Sequence, residues 1–416
     1  MKKSLFISFL ALFAGYVYAQ EDITHHNTSY FSKPLIDLNC DSTRQTVVDK
    51  EPGQYLGHVT TALLDDGKTI YAVYPKGHGN GPVVMKRSDD GGKTWSKRLD
   101  TPENWKSSKE VPTIFKTTDP KGDKQLIMFS GLYPARMAVS ENMGKDWTPL
   151  KKIGNWGGIV VMGDLISLKT GKGHYMAMFH DDKRFFTKDG QSKYEKDIKE
   201  HDSPKFTLYK TFSYDGGLTW SKPEEVFSSR KIHVCEPGFV RSPDGEEIAA
   251  LLRENRRREN SQIIFSRDEG KTWTDPRPLP NILTGDRHTA AYTPDGRLII
   301  SFRDVSAQHN ELRQVAEEKD MTDLDNLARK VNMGSPTEGD WVAWVGQYED
   351  LVKGREGQYR IRIKDNKHSW DCCYPGVEIL PDGTIITTTY GHWDEGEPPY
   401  ILSVRLTLDE IDRKAQ

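Results

Sequence analysis

Charged and aromatic residues gather at the ends of short apolar runs along this 416-residue chain. Some open a run: Gly57-His58, Lys109-Glu110, Cys235-Glu236, Asp286-Arg287-His288 and Asp371-Cys372-Cys373-Tyr374. Others close one: Lys76-Gly77-His78, His180-Asp181-Asp182, Arg253-Glu254, Arg303-Asp304 and Tyr390-Gly391-His392-Trp393. Guanidinium groups offer a carboxylate two parallel N–H donors. Glu, Asp and His side chains move protons once burial or a neighbour tunes them. Aromatic rings give flat apolar faces with a polar edge. Together, these are the types a pocket for an acidic sugar needs.

Such residues cooperate only if the chain brings the run ends to one place. Two repeated turns imply that it does. The pattern S-x-D-x-G-x-T-W occurs at Ser88–Trp95, Ser213–Trp220 and Ser266–Trp273, with a worn copy at Ser140–Trp147, at spacings of 52, 73 and 53 residues. Its Ser and Asp oxygens can bind backbone N–H groups in a tight turn, its Gly takes positive φ, and its Trp packs on a neighbouring unit. The motif is structural rather than catalytic. A second turn, Asp-Gly between apolar β runs, lies at Asp66-Gly67, Asp244-Gly245, Asp295-Gly296 and Asp382-Gly383, the signature of a tight hairpin. Strand, Asp-Gly hairpin, strand, loop, strand, eight-residue turn, strand is one four-stranded antiparallel propeller blade. The pattern predicts an all-β, six-bladed β-propeller with units near 58–100, 110–150, 158–225, 236–280, 288–350 and 374–406. Both repeated turns then share one face. The first-strand starts and the second-to-third loops share the other, where the units converge on the axis and a ligand site is expected.

The eight-residue turn resembles the Asp-box of the sialidase (neuraminidase) superfamily, whose members are six-bladed propellers, and the resemblance covers most of residues 50–406. The run from Cys235-Glu236-Pro237 through Asp244-Gly245 to Arg253 is similar to the sialidase unit that bears a Glu and, about seventeen residues on, an Arg. Tyr374-Pro375-Gly376-Val377 through Asp382-Gly383 resembles the last unit, which starts with a nucleophilic Tyr. The resemblance implies an exo-glycosidase that removes a terminal acidic sugar, sialic acid or a relative. Tyr374 would attack the anomeric carbon and Glu236 would take its proton, which a phenol of pKa about 10 needs. Arg253 would hold the substrate carboxylate, and a neutral nucleophile suits a centre that already carries that charge. Two departures stand out. His58-Val59-Thr60 replaces an Arg-Ile-Pro start, and the loop Tyr74–Gly81 has no carboxylate where the family keeps its acid. His78 or Asp182 is therefore expected to donate the proton, with His58 and Asp181 as alternatives. Arg287 and Arg303 are expected to complete the clamp, and Lys76, Glu110, His288, Asp371 and Trp393 to touch the ligand.

Each residue also has a plainer reading: Glu236 as a strand-end ion pair, Tyr374 and Trp393 as core or rim aromatics, the arginines as blade-to-blade bridges. Two rival functions follow, a glycan-binding propeller without turnover and a propeller polysaccharide lyase.

The rest of the chain sets the context. Lys2-Lys3, the apolar stretch Leu5–Phe13 and Val17-Tyr18-Ala19 form a signal peptide, residues 1–19, so a periplasmic or secreted protein without membrane insertion is expected. Residues 20–50 read as an arm or closing strand and 51–416 as one propeller. Net charge is −3, or −5 without Lys2 and Lys3, which gives no reason to expect nucleic acid. The run Arg256-Arg257-Arg258 reads as a solvated loop, Lys183–Lys205 as a surface loop and Leu312–Val331 as a helical insertion. Cys40, Cys235, Cys372 and Cys373 read as buried or singly paired thiols, with no metal ligand set and no cofactor. A monomer with an acidic glycan as partner is expected.

Overall fold

Short β-rich runs separated by Asp/Gly turns fold into six sheets arranged as the blades of a propeller. The structure, a computed structural model, describes residues 30–186, 192–307, 334–368 and 370–415. The signal peptide and the Leu312–Val331 insertion fall outside them.

The innermost strands of the six blades are Thr60–Leu63, Pro112–Thr118, Ile159–Ser167, Val234–Arg241, Gly285–Tyr292 and Gly376–Ile379. Each packs against the next, and the sixth returns to the first. An axial cavity of roughly 170 Å³ is lined by Thr60, Ile114, Gly163, Pro237, Arg287 and Val377, one from each innermost strand. Within a blade the strands pair antiparallel in chain order. Second strands are almost wholly buried, and Tyr175–Asp181 and Leu298–Asp304 are buried from end to end, because neighbouring blades cover both of their faces.

The blades differ at their outer edges. The last blade takes its fourth strand from the N-terminal arm: Gln45–Asp49 pairs antiparallel with Tyr400–Leu406 and ties the chain start to its end. Blade five carries a fifth strand, Leu35–Asp37, parallel to Tyr359–Lys364. Blade one has three regular strands, and residues 96–99 run beside its third through Ser96 N–H to Arg87 O (2.7 Å) and Leu99 N–H to Met85 O (2.8 Å). The Lys183–Lys205 stretch departs from the loop expected there. Its described part holds the helix Tyr194–His201, docked by buried Asp197, which binds Arg230 (2.7 Å) and Lys183. Among the described residues, no helix is long and apolar enough to cross a membrane. The four cysteines are all free thiols; three are buried and Cys40 is exposed, contrary to the expectation for it.

The eight-residue turns are local hydrogen-bond knots. In Ser213–Trp220, Ser213 Oγ donates to Asp215 Oδ1 (2.8 Å) and accepts from Gly217 N–H (2.8 Å). Asp215 also takes the Thr219 N–H (3.0 Å) and hydroxyl (2.6 Å). Ser88–Trp95 and Ser266–Trp273 repeat this net within about 0.2 Å. In the worn copy Asn142 replaces the Asp, still accepting from Asp146 N–H (2.9 Å). Gly217, at φ +92°, shows why the position is Gly: a Cβ there would sit 2.7 Å from Ile127.

Candidate functional site

The opposite face is built from strand entrances, and a left-handed backbone recurs there. His58, Val160, Glu236, Arg287 and Cys373 have φ of 54°, 51°, 48°, 57° and 68°, each at or just before the start of an innermost strand. In blades three, four and five the ladder register shifts at this point. Non-glycine residues rarely adopt this conformation, and such bulges re-aim side chains. Here they bring Glu236 and the Tyr374 neighbourhood together across the axis.

Tyr374 and Glu236, 138 residues apart, are hydrogen-bonded: the phenol donates to Glu236 Oε1 at 2.6 Å. Arg253 Nη1 donates to the same oxygen at 2.9 Å. Both Tyr374 and Glu236 are buried, and Glu236 Oε2 has no hydrogen-bond partner. Burial pushes the Glu236 carboxyl up, but Arg253 and the Tyr374 hydroxyl hold it well below the usual carboxylate range. Burial and the adjacent Glu236 charge push the Tyr374 phenol well above its ordinary value. At rest the proton therefore belongs to Tyr374, aimed at an ionised carboxylate.

The arginines are arranged differently from the expected clamp. Arg253 Nε lies 3.3 Å from Asp286 Oδ1, and Arg303 Nε donates to Asp286 Oδ2 at 3.0 Å. Arg257 joins them, 2.6 Å from Asp286 Oδ2. The solvated-loop reading of Arg256–Arg258 is thus corrected: Arg257 turns inward to a buried acid and Arg256 donates to Arg230 O (3.0 Å), while Arg258 is exposed. Arg287 takes another course. It donates to Gly163 O (2.8 Å), lines the axial cavity, and lies 5.4 Å from the Tyr374 ring centroid.

On the other flank of Tyr374 is an aromatic and histidine cluster. The His58 ring is 4.5 Å from Tyr374, 4.7 Å from Tyr390 and 4.8 Å from His78. Gly79 N–H donates to His58 Nδ1 (3.1 Å), which leaves the ring proton on Nε2, facing the Tyr390 oxygen at 3.3 Å. Burial, followed by the charge of His78, lowers the His58 pKa to about 3, so His58 is neutral and is no proton donor. Asp371 accepts from Tyr55 (2.8 Å) and Tyr390 (3.2 Å) and faces His392 Nε2 (3.1 Å). Hydrogen bonds from His392, His78 and Tyr55 hold Asp371 well below the usual carboxylate range in spite of burial. His78 Nδ1 lies 2.7 Å from the Tyr55 oxygen and 3.5 Å from Asp371, with its side chain 69% exposed.

Glu110 stands at the blade-two entrance. Its two oxygens accept Val111 and Val160 N–H (3.1 Å each), and burial raises its pKa to about 7. The other expected ligand contacts have structural partners. Asp182 grips Arg184 (2.8 Å), while Asp181 accepts Phe185 N–H on Oδ1 (3.0 Å), has no partner on Oδ2, and is raised by burial to a pKa of about 6. Lys76 pairs with Glu51 (3.0 Å). His288 faces Leu283 O (3.0 Å) and stacks on Phe302. Trp393 is a core residue against Trp341, with its indole N–H on Tyr400 O (3.0 Å). Sequence reasoning missed Asp286, Arg257, Tyr55 and His392 as members of the site. Asp286 and His392 do sit at a run end, whereas Arg257 and Tyr55 carry no pattern. Among the described residues, no group of three His, Cys, Asp or Glu is arranged to hold a metal ion.

Residues 86–97 match the BNR/Asp-box repeat. No curated protein matches the chain. Among solved structures, a Dyadobacter fermentans protein of unknown function superimposes with a TM-score of 0.61 at 16% identity, over 87% of this chain and 97% of that one. The NanB sialidase from Streptococcus pneumoniae gives 0.56 at 12% identity over 88% and 71%. The intramolecular trans-sialidase from Ruminococcus gnavus gives 0.53 at 13% over 86% and 95%. With its Asp-box repeats and closed ring of blades, the chain has the sialidase-like six-bladed propeller fold.

Proposed function

We propose that this protein is an exported glycoside hydrolase in which Tyr374 is the nucleophile and Glu236 its base. The observation that carries the reading is the 2.6 Å hydrogen bond from the Tyr374 hydroxyl to Glu236 at the open end of the propeller. Likeness to sialidase structures and the leader-like first 19 residues support it. In the first half-reaction, the Tyr374 oxygen bonds the anomeric carbon while its proton passes to Glu236 and the bond to the leaving oxygen breaks. His78, exposed at the mouth and braced by Tyr55 and Asp371, gives the leaving oxygen its proton. Water then attacks the anomeric carbon, gives one proton to His78, and releases the sugar as Tyr374 recovers its proton from Glu236. Because Glu236 is held at low pKa, that proton moves in concert with attack rather than before it.

A terminal acidic sugar, the expectation from sequence, would set its carboxylate on Arg253 and Arg303. A second reading, glycan binding without turnover, is favoured by the carboxylate-free loop Tyr74–Gly81 and by the firm hold of Tyr374 on its proton. Incubation with mixed mucin glycans and product detection by mass spectrometry separates the two. Released monosaccharide from the wild type, cut at least about 10³-fold in Tyr374→Phe with unchanged circular dichroism, is the expected result. Saturable binding with no product establishes the second reading instead.

A further inference from the structure

Asp286 is fully buried, and three guanidinium groups converge on its carboxylate. Arg253 faces Oδ1 at 3.3 Å; Arg257 and Arg303 bind Oδ2 at 2.6 and 3.0 Å. Other donors of the same groups are engaged elsewhere. Arg253 Nη1 is on Glu236 (2.9 Å), Arg257 Nη1 on Glu254 O (2.5 Å), and Arg303 Nη1 on Trp370 O and Cys372 O (3.0 Å to the latter). Three cations thus face two resident carboxylates, Asp286 and Glu236, in a site where removing either acid would strand buried charge. The fourth arginine, Arg287, is committed to Gly163 O and to the axial cavity.

We infer that Asp286 fills, with the protein's own carboxylate, the place a ligand carboxylate would take among these arginines, so that the mouth selects a sugar with no carboxylate at its anomeric centre. A sugar acid entering here would meet guanidinium groups already turned to Asp286, and two fixed negative charges beside Tyr374. Its carboxylate would lose water and be repelled by both resident carboxylates. The choice of a phenol as nucleophile remains sensible. A neutral nucleophile avoids repulsion by an anion at the reaction centre, and here that anion is resident, Asp286 next to Glu236, rather than delivered by the substrate. The substrate class is then a neutral glycoside, a hexose or N-acetylhexosamine end group. Only this last step rests on the hydrolase reading; the filled clamp does not.

The test compares ligands that differ by the carboxylate alone. Binding of N-acetylneuraminic acid and of its methyl ester to the full chain is measured by titration calorimetry, alongside turnover of mucin O-glycans before and after mild-acid removal of sialic acid. The wild type is expected to prefer the free acid over the ester by less than about threefold, or to bind neither, and to release sugar only from the desialylated pool. Asp286→Asn, which reopens the forks, is expected to bind the free acid at least about tenfold more tightly than the wild type does. If that variant does not fold, the double variant Asp286→Asn/Arg257→Gln, with one fewer buried cation, takes its place. Preference of the wild type for the acid by tenfold or more overturns the inference, as does a folded variant that gains no affinity for it. Turnover from neither pool overturns the hydrolase reading, while the acid–ester comparison still decides whether the clamp is filled.

Discussion

The two ends of this propeller are made from the same strands and solve opposite problems. At one end, the polar side chains of each eight-residue turn bond mostly within the turn: Ser213 and Asp215 take the N–H groups of Gly217, Leu218 and Thr219 and the Thr219 hydroxyl. At the other end, polar groups find partners across blades. Tyr374 of blade six binds Glu236 of blade four, and Asp286 of blade five binds Arg253 and Arg257 of blade four. Glu236 Oε2 and Asp286 Oδ1 are left without a well-formed hydrogen bond. Buried polar atoms that remain unpaired in a fold are costly. The closed end therefore ties its carboxylates locally, and the open end holds buried carboxylate oxygens without partners beside Tyr374.

The contrast can be broken from either side. The largest effect is expected in Glu236→Gln, which keeps an acceptor for Tyr374 but cannot take its proton: turnover per folded molecule falls by about 10²- to 10⁴-fold, and the melting temperature also falls because buried Arg253 loses a charge partner. Unchanged turnover per folded molecule would make Glu236 a structural residue. Next is Glu110→Gln. Burial raises the folded Glu110 pKa from 4.5 to about 7, so the stability of the wild type is whole below pH 4.5 and is lost as pH rises through 7. The variant lacks that titration, so its stability relative to the wild type should improve by up to about 3 kcal/mol between about pH 5 and about pH 8 in urea denaturation. A pH-independent difference removes the buried-carboxyl assignment. At the closed end, Asp215→Ala breaks one knot and is expected to cost about 2 kcal/mol, with kcat/KM per folded molecule unchanged. A change in kcat/KM would mean that the two ends are coupled. The smallest effect is repair of the worn turn: Asn142→Asp with Asp146→Thr restores the repeated net and should add about 0.5 kcal/mol, whereas Asn142→Asp alone sets two carboxylates together and should subtract as much.

What could be read from the chain follows the same division. The closed end was legible because its contacts span eight residues, so Ser, Asp, Gly, Thr and Trp at fixed offsets are the structure. The six-bladed ring followed from turn order. The open end was legible only where resemblance supplied partners, as for Glu236, Arg253 and Tyr374. Arg257 was misread because its sequence neighbours Glu254 and Glu259 suggest a solvated run, while its real partner, Asp286, is 29 residues away across a blade boundary. Trp393 was expected to touch the ligand, but it packs in the core against Trp341, a place that depends on how blades five and six pack. Tyr55 precedes the first blade in a stretch with no period, yet it reaches Asp371, 316 residues on, through ring closure.

The most direct measurement is a search for the covalent sugar. The full chain is incubated with a fluorinated neutral glycoside that slows the second half-reaction, quenched in acid, and mapped by peptide mass spectrometry. A mass gain of one glycosyl group on the peptide containing Tyr374, absent from Tyr374→Phe, is the predicted result. Turnover of the parent glycoside with the adduct on another residue, or with no adduct at any quench time, contradicts the pairing of Tyr374 with Glu236 as the reactive centre.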